Sequence, residues 1–185
     1  MATMSKRPQK QSNETDRRLI LLRHAKSAWP QGVADKERPL ATRGSKAASL
    51  MGDYMAHEGL IPDLALISTA RRTQETWALV REKLPRDVEA RNLFELYAAP
   101  ATTILDILAQ VEPGCRSVLI IGHNPGIEQL ALTLIGTGNA DARQAMAEKY
   151  PTAGLAVIDF DAADWQSMGK GSGRLERFVT PRSLE

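Results

Sequence analysis

The chain has 185 residues, of which 43% are hydrophobic and 25% charged, and a formal net charge of +2. That length suits one domain with one sizeable core, and the balance excludes a disordered, collagenous or repeat-biased chain. The longest uncharged stretch, Gln129 to Ala140, is too short to cross a membrane.

No apolar run of the kind a secretory signal needs follows the start, and the single cysteine, Cys115, leaves no internal disulfide. Both point to the cytoplasm. Residues 1–18 carry five Lys or Arg against two Asp or Glu and are expected to be a disordered polar tail. The remainder, 19–185, is nearly neutral, which removes the basic folded surface that nucleic-acid binding requires.

In chain order, LILL (19–22) reads as a buried strand. Ala47, Leu50, Met51, Tyr54 and Met55 keep helical spacing, with Thr42 as N-cap and Gly59 past the end. DLALIS (63–68) is a second strand, followed by the helical stripe Thr73, Thr76, Trp77, Val80 and Leu84; VEARN (88–92) is a weaker strand. Ile104, Ile107, Leu108 and Val111 mark a third helix, SVLIIG (117–122) the clearest strand, and Ile127, Leu130, Ala131, Leu134 and Ile135 a fourth helix. A short helix is expected near 140–149, then strands at 155–160 and 174–179 joined by a loose hairpin connection containing GKGSG. This alternation predicts an α/β fold, a single domain with a mostly parallel sheet of about six strands and helices on both faces.

Three of these strands run into polar residues of one functional kind: LILL into Arg23-His24, LALIS into Thr69-Ala70-Arg71-Arg72, and VLIIG into His123-Asn124. In open α/β sheets ligands bind outside the carboxyl ends of the strands. If the three strands are parallel neighbours, two histidines and at least two arginines meet there. Guanidinium groups grip phosphate bidentately, and a neutral imidazole is a competent nucleophile, so the natural ligand is a phosphoryl group. His57, beside Glu58 and Gly59, reads as a solvated cation at a helix end.

The string LILLRHAKSAW, with ERPLATRG (37–44), STARRTQET (68–76) and IIGHNPG (121–126 with its preceding isoleucine), resembles in order and spacing the motifs of the histidine phosphatase superfamily, the phosphoglycerate-mutase-like group. The short length, ELYAAP (95–100) and PTAGLAVIDF (151–160) look most like its compact phosphohistidine phosphatases. The resemblance implies the phosphoglycerate-mutase-like fold, with His24 as a nucleophile that is transiently phosphorylated. It further implies that Arg23 and Arg72 hold the phosphoryl oxygens and that His123 completes the pocket. Glu95 is the candidate proton donor, with a solvated or helix-leading carboxylate as the equal alternative, and Ser27 and Asn124 are candidate donors at the substrate, with structural roles in the loops as the equal alternative. No metal and no cofactor are implied. The expected substrate is a phosphorylated protein bearing phosphohistidine, with a small phosphorylated metabolite as the alternative and inhibition by phosphate-like anions.

Ala25 stands where the family has the glycine of R-H-G, and Pro30 where mutase-like members have asparagine, which argues against a mutase. Other phosphatase chemistries fail on detail. DFDAA (159–163) has Ala163 where an aspartate-based site needs a hydroxyl, and position 121, six after Cys115, is Ile rather than the arginine of a cysteine-based site. A silent phosphate-binding module is the competing class; it would be expected to have lost one of His24, Arg72 or His123, and all three are present.

Overall fold

The computed structural model describes residues 16–185, so the expectation for the first fifteen residues lies outside the described residues. The apolar runs form a seven-stranded sheet: β1 (Asp16–Arg23), β2 (Leu64–Ser68), β3 (Glu89–Leu93), β4 (Ser117–Gly122), β5 (Ile135–Gly138), β6 (Leu155–Asp161) and β7 (Gly173–Val179). Their spatial order is β3-β2-β4-β1-β6-β7-β5. The pairs β1–β4, β2–β4, β2–β3 and β5–β7 are parallel, whereas β6 runs antiparallel to both β1 and β7. LALIS is buried at every position because both faces of the sheet are covered, which is why its sequence is a continuous apolar run rather than an alternation. β3, at the edge, is mostly exposed and correspondingly polar.

One face packs on α1 (Thr42–His57) and α2 (Arg71–Arg81), whose Ala48, Met51, Met55, Trp77 and Val80 meet Ile20, Leu22, Ile67 and Ile121. The other face carries α3 (Ala101–Ala109), α4 (Gly126–Leu134) and α5 (Ala140–Glu148) over Leu19, Leu21, Leu66 and Ile120. A short α6 (Pro181–Leu184) ends the chain, capped by Thr180. The single α/β domain, the mostly parallel sheet and the layers of helices are as expected.

Four details differ from the sequence reading. β1 starts at Asp16, three residues early, because the carbonyls of Pro113, Cys115 and Ala163 solvate the Arg17 guanidinium and let this charged residue be buried. Thr42 is not the N-cap of α1: Ala41 holds that position without a side-chain cap. Ile135 leaves the fourth helix to begin a seventh strand, β5, whose sequence IGTG has no apolar alternation to reveal it. The connection between β6 and β7 is not loose either, since Trp165 and Met168 sink into the core and the Trp165 indole N–H donates to the Cys115 carbonyl at 2.6 Å.

Candidate active site

The parallel register sets the site. Leu22 pairs with Ile121 and Arg23 with Gly122, while Ile67 also faces Ile121, so β1, β2 and β4 end together. The residues that follow each strand are therefore neighbours. His24 and His123 stand with ring centroids 5.3 Å apart and are 8% and 6% exposed, and Arg72, in the first turn of α2, is 7% exposed beside them. The N-termini of α2 and α4 lie next to these strand ends, where their partial positive charge favours an anion.

Hydrogen bonds fix both imidazoles. His24 Nδ1–H donates to the Ala25 carbonyl at 2.8 Å, which leaves the Nε2 lone pair free. An Arg72 Nη2–H can only donate, so its 3.4 Å contact makes His123 Nδ1 the acceptor, and Nε2–H of His123 then donates to Ser68 Oγ at 2.7 Å. Burial pushes His24 down to about 3; His123, Arg72 and Arg23 add to this, against the Ala25 bond, which favours the charged form. Burial, followed by the charge of Arg72, likewise pushes His123 down to about 4. Both rings are neutral at neutral pH.

α2 is tied to the His24 loop by Thr76, whose hydroxyl donates to the Arg72 carbonyl at 2.7 Å and accepts from the Ala25 N–H at 3.1 Å. Arg23 donates one Nη1–H to the Tyr150 carbonyl at 2.9 Å, and its buried Nε has no partner within the described protein. Arg72 Nη1 and Nη2 reach the Asp35 carbonyl and carboxylate at 2.7 and 3.2 Å. That carboxylate also accepts from Arg38 at 2.9 Å and from the Tyr97 hydroxyl at 2.5 Å, and the Tyr97 ring stands edge-on to His123. The Tyr97 bond has the largest effect on Asp35, and together with Arg38 and Arg72 it outweighs burial and holds the carboxyl down at about 2.

The structure thus brings Arg23, His24, Arg72 and His123 together. The other three expected site residues are placed differently. Glu95 is exposed on a 3-10 turn at Phe94–Leu96 and makes no hydrogen bond among the described residues. Ser27 Oγ accepts from Arg38, and Asn124 Nδ2 donates to Glu128 and to the same Tyr150 carbonyl that Arg23 uses. Both are taken up in holding the loops. Sequence reading missed Asp35, Arg38, Ser68 and Tyr97 as members of the network. Arg38, Ser68 and Tyr97 lie inside quoted motifs, but Asp35 belongs to a loop whose path only the fold reveals.

The family model described as histidine phosphatase superfamily (branch 1) matches residues 19–97. A Mycobacterium tuberculosis protein of uncharacterized function is 36% identical over 163 residues, 87% of this chain and all of that one. The phosphohistidine phosphatase SixA homolog of Haemophilus influenzae is 30% identical over 132 residues, 65% of this chain and 79% of its own. The chain belongs to the histidine phosphatase superfamily. Within that class its likeness is to proteins of the SixA type: a crystal structure from Agrobacterium tumefaciens assigned to that group superposes with a TM-score of 0.75 at 33% identity, covering 89% of this chain and 98% of the other.

Proposed function

We propose that the protein is a phosphatase acting through a phosphohistidine intermediate on His24, with phosphohistidine on a protein as its substrate in the cytoplasm. The observation that carries this reading is the free, unprotonated Nε2 of a buried His24 set 5.3 Å, ring to ring, from His123 and flanked by Arg23 and Arg72. The Nε2 lone pair forms the bond to phosphorus as the bond to the leaving group breaks. The arginines and His123 hold the three spreading oxygens, and little else is asked of the protein in such a transfer. Water then adds to phosphorus, the N–P bond returns its electron pair to His24, and the water's proton leaves with solvent.

The nature of the nearby acid supports phosphohistidine over an alkyl ester. The carboxylate in the network, Asp35, is held ionised, and Glu95 is outside the network, so neither is poised as a strong proton donor to an alkoxide. A departing imidazole needs less protonation than an alkoxide. Metal independence is part of the proposal: the arginines supply the charge stabilisation, and among the described residues no group of three His, Cys, Asp or Glu side chains is placed to hold a metal ion. No helix among those residues is long and apolar enough to cross a membrane.

Rapid quench during turnover should trap acid-labile, base-stable phosphate on His24, and His24→Ala should lose both the label and at least about a thousandfold in kcat. A chelator should leave the rate unchanged. Absence of the label overturns the mechanism, and faster turnover of small phosphate esters than of a phosphohistidine peptide overturns the substrate.

A further inference from the structure

Most guanidiniums of the described chain are matched to carboxylates: Arg18 and Arg174 to Asp159, Arg71 to Glu75, Arg91 to Glu89 and Glu112, and Arg177 to Glu58 and Glu176. Other cations have no carboxylate partner among the described residues, and five of these are gathered in one place. Lys26, Arg43, Lys46, Lys149 and Arg182 are exposed, their side chains have no hydrogen-bonded or ion-paired partner among the described residues, and they line one trough of about 690 Å3. Glu185 is the one carboxylate side chain on its walls, and Leu50 and Phe178 give it an apolar floor.

The sheet register places this trough beside the candidate active site. Leu155 pairs with both Leu22 and Val179, so the start of β6 and the end of β7 lie at the same edge as the end of β1 that delivers His24. Two strand spacings separate β7 from β1, about 10 Å. Thr152 lines the trough, and the next residue, Ala153, donates its N–H to the carbonyls of Arg23 and His24, both at 3.0 Å. Lys26 follows His24 by two residues.

We propose that the trough docks an acidic, partly apolar segment of the phosphoprotein whose phosphohistidine enters the His24 pocket. As a statement about substrate it rests on the phosphatase reading above. The cations come from four separate stretches of chain and stay in water, unlike the buried, converging Arg72 and His123. Such a spread suits an extended polyanionic chain rather than one compact anion. Leu50 and Phe178 suit its aliphatic side chains. The chain's own first fifteen residues are excluded by charge, with Lys6, Arg7 and Lys10 against Glu14. Single-stranded nucleic acid needs aromatic faces for stacking, and Phe178 is half-buried against Tyr150 at 5.0 Å between centroids.

The probe is a fluorescent, unphosphorylated peptide of alternating Glu and Leu, so that binding is read without turnover. It should bind the wild type at low salt and weaken at roughly 0.3 M NaCl. Against Lys46→Glu/Lys149→Glu/Arg182→Glu, checked for native circular dichroism, it should bind at least about tenfold more weakly. If that variant does not fold, Lys46→Gln/Arg182→Gln takes its place with an expected loss of about threefold. In parallel, phosphohistidine peptides flanked by Glu and Leu should show a lower KM than ones flanked by Gly and Ser, and the variant should lose that difference. Equal peptide binding by variant and wild type overturns the proposal, as does tighter binding of oligothymidylate than of the peptide. Peptide binding with no turnover of any phosphate compound keeps the trough and overturns the phosphatase reading; turnover with no preference for the flanks does the reverse.

Discussion

His24 and His123 owe their neutrality to burial, and that gives the protein a pH dependence of definite sign. In the unfolded chain both titrate near the ordinary 6.5, but in the folded protein at about 3 and about 4. Between those limits the unfolded chain binds protons the folded one does not, so stability is fully present above the unfolded value and falls as the pH is lowered. Each histidine should contribute a loss on the order of 2 kcal/mol between pH 7 and roughly pH 4.5, read from urea unfolding. His24→Asn/His123→Asn should flatten that slope; an unchanged slope rules the assignment out. Asp35 adds a different test at this scale. Its carboxylate occupies Arg72, so Asp35→Asn should free positive charge and lower the inhibition constant for phosphate roughly threefold to tenfold, while kcat falls because Arg72 loses an anchor. A weaker phosphate inhibition would show that Asp35 only builds the pocket. Glu95→Gln, outside the network, should leave both constants within about a factor of two.

Among the elements, α1 and the loop after β1 must come very close for the site to form. A Cβ on Gly44 would stand 1.9 Å from the Lys26 carbonyl oxygen, the same oxygen that accepts from the Ala41 N–H. Gly44→Ala should therefore push the loop carrying His24 away from α1, costing about 1–3 kcal/mol of stability. It should also lower kcat with less change in the thermal midpoint than a core truncation of equal kcat effect; a kcat equal to wild type would separate the loop from catalysis. Gly126 is constrained in the same way at the start of α4, where a Cβ would meet the Ala99 carbonyl at 2.0 Å. Most elements were legible because each repeats its period: LALIS and SVLIIG as continuous buried runs, and Met51, Tyr54 and Met55 as a stripe. β5 was not, because its pairing with β7 comes from the neighbour and not from any pattern in IGTG.

For the molecule as a whole, the sheet divides the interior into two apolar layers, and the β6–β7 connection closes one of them through Trp165. This side chain is fully buried and bonded to the Cys115 carbonyl, which fixes the approach to β4 and hence to His123. Trp165→Ala should cost about 3–5 kcal/mol and lower the urea midpoint in a single transition. A midpoint unchanged from wild type would mean that the connection is as loose as its GKGSG sequence first suggests.

The strand ends and what they carry were readable from the amino acids alone: Arg23-His24, Arg72 and His123 each follow a strand whose apolar run is unmistakable, and phosphoryl chemistry follows from those residue types. They were readable because a strand delivers the residue at its end to a position the sheet order fixes. The sequence could not place Asp35, Arg38 and Tyr97 around Arg72, nor show that Ser27 and Asn124 are engaged by the loops and Glu95 lies outside. Those outcomes depend on how loops from four parts of the chain fold over one sheet edge, where burial and hydrogen-bond satisfaction between distant residues decide, and local periodicity carries no record of either.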